Sequence, residues 1–201
     1  MTPQHDEDED RPMGAITTRA ADGIARRAFT VAEVERMQEL GIFRPDEKFE
    51  LVEGEIVPMQ AKSPVHELIK ETLFLRMARA LPPDMWMGVE RTIFLGERTF
   101  LDPDLSLFAA ERKTEKVDGR TLILAIEVSH STLGYDKGLK AQLYARYGVP
   151  EYWVIDVKRR TTIVHRSPRA DGTWEQHETW SPSRVLSHPA VPGFAVRLSE
   201  I

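Results

Sequence analysis

Glu127 is the lone charge in Leu122-Ile123-Leu124-Ala125-Ile126-Glu127-Val128, the most apolar stretch of the chain. A strand of that composition is covered on both faces. Burying an unpaired carboxylate costs several kcal/mol, so Glu127 needs a partner. Asp104 opens a second short strand, Asp104-Leu105-Ser106-Leu107-Phe108. Alternation turns Leu105 and Leu107 to one side and Asp104 and Ser106 to the other. Two strand carboxylates, a main-chain carbonyl and waters make an oxygen-rich site of the kind Mg²⁺ prefers. The plainer alternative is a structural ion pair, or a strand-end Glu127 that points at solvent.

These residues need a scaffold, and the pattern around them supplies one. Strands are expected over about 86–94, 102–108 and 121–128, with Leu95-Gly96-Glu97-Arg98 as the turn between the first two. A helix is expected from Asp136 to Tyr147, stopping before Gly148-Val149-Pro150. Strands Glu151 to Val157 and Thr161 to Arg166 follow, joined by the basic turn Lys158-Arg159-Arg160, and Trp174 to Trp180 reads as one more. Strand–helix–strand around 121–157 suits a crossover unit. Upstream, Thr30-Val31-Ala32-Glu33 has capping-box form, and Val31, Val34, Met37 and Leu40 recur at helical spacing before Gly41. Phe49 to Val57 alternates about a Glu53-Gly54 turn and reads as a β-hairpin. Ser63-Pro64 starts a second helix that runs to about Ala80, with Val65, Ile69, Leu73 and Met77 as its apolar stripe.

The 201 residues suit one domain with a tail. Residues 1–28 read as a disordered acidic tail, and 29–201 as the folded domain. Five of the 32 acids lie in Asp6 to Asp10, which leaves 27 acids against 27 Lys and Arg. The body is therefore neutral, and no bulk positive field advertises nucleic acid. The absence of cysteine excludes disulfides, cysteine-ligated zinc, iron–sulfur clusters and thiol catalysis. The longest uninterrupted apolar run, Leu122 to Ile126, is far below the roughly 20 residues that span a bilayer. MTPQHDEDED lacks the basic and apolar regions of a signal peptide. The expectation is a soluble, cytoplasmic protein with no membrane partner. No G-x-S-x-G, Walker loop or dinucleotide fingerprint is present.

Pro103-Asp104, then 22 residues, then Glu127-Val128-Ser129 resembles the PD-(D/E)XK nuclease motif. More narrowly, the chain resembles the Uma-type family of restriction endonuclease-like proteins. The matching stretches are Phe49 to Ile56, Ser63-Pro64-Val65-His66, Asp102 to Leu105, and a long run from Ile126 through Asp136-Lys137-Gly138-Leu139-Lys140 and Tyr144 to Asp156. Pro192-Gly193-Phe194 also fits, so the likeness covers about 29–201. It implies an α/β, restriction endonuclease-like fold: a mixed central β-sheet flanked by helices. It also implies a Mg²⁺- or Mn²⁺-dependent endonuclease acting on DNA, with Asp104 and Glu127 as metal ligands. A homodimer would suit duplex cleavage, which needs two active sites or two events.

The superfamily pattern places Lys at position 129, and this chain has Ser129. The resemblance moves that role to Lys140 on the following helix, with Lys137 as the fallback. It also points at Glu50 as an extra acid near the metal, and at His66 as a contact to phosphate or a support for a carboxylate. Tyr144, four residues after Lys140, could brace it. Two other functions stay open: a non-catalytic binding or assembly module on the nuclease fold, and a phosphodiesterase acting on RNA or small nucleotides.

Overall fold

The computed structural model describes residues 17–19 and 25–201. Its centre is a six-stranded sheet in the order β13-β12-β11-β10-β8-β5. These strands are β5 (Met85–Val89), β8 (Leu105–Ala109), β10 (Leu122–Ser129), β11 (Glu151–Asp156), β12 (Thr161–Pro168) and β13 (Trp174–Trp180). β10 and β11 run parallel, and the other neighbours are antiparallel. The parallel pair requires a crossover, and a helical segment between the two strands provides it. That segment consists of α3 (Leu133–Tyr135), a π-helical turn Asp136–Lys140, and α4 (Ala141–Arg146).

Alternation along β10 sends its side chains into two cores. Leu124, Ile126 and Val128 pack beneath α2 (Pro64–Arg79), whose Ile69, Leu73 and Met77 are fully buried, and beside a C-terminal hairpin of β14 (Leu186–His188) and β15 (Val191–Val196). Ala125 faces the other way, toward Leu143 and Tyr144 of α4. Burying each large aliphatic side chain contributes about 2 kcal/mol. Leu73→Ala, which leaves a cavity under α2, would cost about 3 kcal/mol.

A second sheet, ordered β4-β3-β7-β6-β9, covers that other face. It comprises β3 (Phe49–Val52), β4 (Glu55–Pro58), β6 (Ile93–Gly96), β7 (Thr99–Leu101) and β9 (Val117–Asp118). Leu51 and Phe49 pack against Val31 and Val34 of α1 (Val31–Glu39), and Val52 joins the core shared with the central sheet. α1 begins with the expected capping box, in which Thr30 accepts from Glu33 N and Glu33 accepts from Thr30 N. The Glu53-Gly54 turn also forms where expected. Gly54 has φ +92°, and a Cβ there would stand 2.5 Å from that of Ala28.

That contact changes one boundary. Of the tail expected over 1–28, β1 (Thr17–Arg19) pairs with β2 (Ala25–Arg27), and Ala28 is buried against Gly54. The rest of that segment lies outside the described residues. Of two further expected strands, one is divided and the other starts late. The stretch 86–94 breaks at Glu90, which has φ +47°, and 102–108 begins only after Asp104. On α2 the inward stripe is His66, Ile69, Lys70, Leu73 and Met77, while Val65 is exposed. The face that was expected to be apolar carries two basic residues because its first turns border a charged cleft.

Candidate active site

The cleft has a volume of about 420 Å³ and lies between β4, the loop after it, the start of α2, and the end of β10 with its helical turn. Glu50, His66, Asp104, Glu127 and Lys140 all line it. β3 carries Glu50, α2 carries His66, β10 carries Glu127, Asp104 directly precedes β8, and Lys140 ends the π-helical turn. The five residues singled out from the sequence are thus brought together.

They form two groups. In the first, the buried Lys140 Nζ is 2.8 Å from Glu127 Oε1 and 2.8 Å from Glu50 Oε1, with Asp136 Oδ1 at 3.8 Å. Glu50 is fixed by the Asp102 amide at 2.9 Å and the Tyr135 hydroxyl at 3.2 Å. Asp136 is fixed by the Ser129 and Thr132 hydroxyls at 2.7 and 2.6 Å. Ser129, on the strand face of Glu127, therefore positions an acid one helical turn before Lys140. A π-turn at this point adds a residue to the helical repeat, a feature that recurs at functional sites.

One ammonium here faces three carboxylates. Burial opposes the charge on Lys140, but Glu127 and then Glu50 outweigh it, so its pKa lies well above the ordinary lysine value. The excess negative charge falls on Glu127. Burial raises its pKa well above that of a normal Glu, Lys140 opposes the rise, and Asp136, Asp104 and Glu50 add to it.

The second group surrounds Asp104. Its Oδ1 accepts from Lys62 Nζ at 2.7 Å, and its Oδ2 lies 3.0 Å from His66 Nε2 and accepts from the Val128 amide at 2.8 Å. Burial alone would raise the Asp104 pKa, but His66 and Lys62 together lower it. Lys62 also reaches Glu90 at 2.8 Å, and Glu90 holds Lys48 at 2.8 Å and Lys70 at 2.5 Å. The three lysines hold Glu90 ionised, with its pKa lowered despite partial burial.

The donor set suits a hard divalent ion, because the acids of the cleft offer carboxylate oxygens and no thiolate. Among the described residues, no three His, Asp or Glu side chains converge as a ready-made metal cage. Mg²⁺ keeps several waters and takes only one or two carboxylates. Asp104 and Glu127 could supply those two, and the excess negative charge around Glu127 is what such an ion would balance.

Sequence reasoning missed Lys62, Glu90, Lys70, Tyr135 and the structural role of Asp136. The partners of Lys62, Glu90, Lys70 and Tyr135 lie up to 85 residues away, so no local pattern marks those contacts, whereas Asp136 is held by Thr132 and Ser129 close by in sequence. Asp102 also lines the cleft. Its Oδ1 is buried without a hydrogen-bond partner among the described residues, and burial raises its pKa to about 6, with Thr92 opposing and Glu50 adding to the rise. Lys137, the fallback, is exposed, whereas Lys140 is buried. Tyr144 packs on Tyr152 at 4.6 Å between ring centres, and its hydroxyl has no hydrogen-bond partner among the described residues. In the basic turn, Arg159 pairs with Asp156 and Arg160 donates to the Leu198 carbonyl.

The sheet order, the crossover and the flanking helices define an α/β protein of the restriction endonuclease-like class. The sequence profile of the Uma2 family, described as "putative restriction endonuclease", matches residues 31–199, and the chain belongs to that family. A crystal structure described as "a putative nuclease belonging to DUF820", from Anabaena variabilis, is similar at 18% identity with a TM-score of 0.65. The match covers 86% of this chain and 96% of that one. No curated protein matches the chain. Among the described residues, no helix is long and apolar enough to cross a membrane.

Proposed function

We propose that the chain is a metal-dependent endonuclease that hydrolyses DNA phosphodiester bonds. The observation that carries this reading is the meeting of Asp104, Glu127 and a buried, carboxylate-clamped Lys140 in one cleft. Asp104 and Glu127 would hold Mg²⁺ or Mn²⁺. When bound, such an ion polarises a phosphoryl oxygen and lowers the pKa of a coordinated water. Lys140 is the fixed positive charge beside the reacting phosphate and stabilises negative charge that develops there. Glu50 and Glu127 aim its ammonium, and Tyr135 and the Asp102 amide aim Glu50. His66 holds Asp104 in place from the α2 side. DNA as the substrate, a homodimer that would suit duplex cleavage, and a cytoplasmic setting belong to the same proposal.

One observation favours a non-catalytic module instead: each Asp104 oxygen already contacts a basic side chain. Single-turnover cleavage of plasmid DNA with Mg²⁺ or Mn²⁺ separates the two. The parent should cut, and Lys140→Ala should cut roughly 10²-fold more slowly. Ser129→Lys combined with Lys140→Ala should recover part of the loss. A parent that cuts no plasmid with any divalent metal favours the module. Cleavage restricted to RNA or small nucleotides in a substrate panel reassigns the substrate.

A further inference from the structure

We infer that Lys62 is a built-in substitute for the divalent ion on Asp104, and that the ion's arrival releases it to bind a phosphate of the nucleic-acid backbone. The inference rests on the metal site proposed above. Lys62 Nζ occupies Asp104 Oδ1 at 2.7 Å, with the Asp104 side chain 4% exposed. An ammonium and a divalent cation on one carboxylate oxygen repel strongly where the dielectric is low. Binding of the one therefore loosens the hold on the other.

Lys62 has somewhere to stay. Glu90 Oε1 holds the same ammonium at 2.8 Å, and Lys62 borders both the catalytic cleft and the adjoining groove that Lys48, Glu67 and Glu90 line. A lysine freed from Asp104 remains tethered at the cleft wall with donors unpaired. Glu90 is fixed for this role by its backbone, since its left-handed φ of +47° is uncommon for Glu and its amide donates to the Asp104 carbonyl at 3.1 Å. Charge points the same way. Lys48, Lys62 and Lys70 balance Glu67, Glu90 and Asp104 in the metal-free protein. A divalent ion on Asp104 tips that group positive, so the surface becomes an anion site only once metal is loaded.

The test uses the full chain and two opposite readouts. In calorimetric titration with Mn²⁺, Lys62→Met should bind the ion about tenfold more tightly than the parent, the effect of removing a competitor worth about 1.4 kcal/mol. Lys70→Met takes the same charge from the Glu90 group without touching Asp104, and should stay within about threefold of the parent. Lys62→Arg keeps a cation on Asp104 and should match the parent, and Lys62→Gln, which removes the charge but keeps a donor, should show the same gain as Lys62→Met and covers failure of that variant to fold. With Ca²⁺ present, Lys62→Met should bind a short DNA duplex about tenfold more weakly, and the salt slope should fall by about 0.9 for one lost phosphate contact. Unchanged or weaker Mn²⁺ binding by Lys62→Met, or an equal gain in Lys70→Met, overturns the inference while the metal site stands. No Mn²⁺ binding by the parent or any variant removes the metal site and the inference with it.

Discussion

The two halves of the cleft solve opposite electrostatic problems with the same residue types. Around Lys140, three acids share one base, and burial, with the neighbouring acids adding to it, raises the Glu127 pKa. Around Asp104, one acid meets Lys62, His66 and a main-chain amide, and its pKa falls. One half is short of positive charge and the other is saturated with it. A divalent ion bridging Asp104 and Glu127 would correct the first and displace a cation from the second. On the function proposed above, that ion is the third charged component of the cleft, and the asymmetry makes the two acids respond oppositely to mutation and pH.

The largest expected effect would break the saturated half. Asp104→Ala strands Lys62, His66 and the Val128 amide, and should cost about 3–5 kcal/mol at pH 7 in urea denaturation. The lowered pKa of Asp104 means its contribution is present above its unfolded value near 3.8 and disappears as pH falls through the folded value. The gap between parent and variant should therefore close in acid. Slightly smaller is Lys140→Met, which leaves Glu50, Glu127 and Asp136 without their cation and should cost about 3 kcal/mol without metal. Mn²⁺ should restore much of that loss, a recovery that Asp104→Ala should not show.

Glu127→Gln should act in the opposite direction. Its raised pKa means that the folded state holds a proton that the unfolded chain has released, so this acid destabilises the protein as pH rises above about 4.5. The variant should be more stable than the metal-free parent by about 1 kcal/mol at pH 7, lose that gain below pH 4.5, and bind no metal. Asp102→Asn should have a similarly small effect. The parent should lose stability between the ordinary value of 3.8 and about pH 6 as this half-paired acid ionises, and the variant should not. The difference at pH 7 should be about 1 kcal/mol after solvent screening.

Much of the scaffold was legible because its signals are local. The capping box at Thr30, the Glu53-Gly54 turn, the Ser63-Pro64 helix start and the apolar β10 each lie within a few neighbouring residues. Glu127 announced itself as a lone charge in that strand, and the need for a partner follows from desolvation alone. Lys140 came from family resemblance, because nothing in its own helix says that it turns inward. Lys62 and Glu90 stayed hidden for a different reason. Their partners are distant in sequence, and a left-handed Glu breaks a strand pattern that only Gly or Asn would have flagged. The inward placement of Lys70 was likewise invisible, and that of His66 came only from the resemblance, since helical periodicity ranks positions by hydropathy and this face borders charge.

The central claim is that Asp104 and Glu127 together hold a divalent ion. A crystal soaked in Mn²⁺ and measured at the manganese absorption edge tests it most directly. The account predicts an anomalous peak between the two carboxylates, with the Lys62 ammonium moved off Asp104 and still on Glu90. Saturating Mn²⁺ that leaves no peak there, with Lys62 and His66 still seated on Asp104, would contradict it.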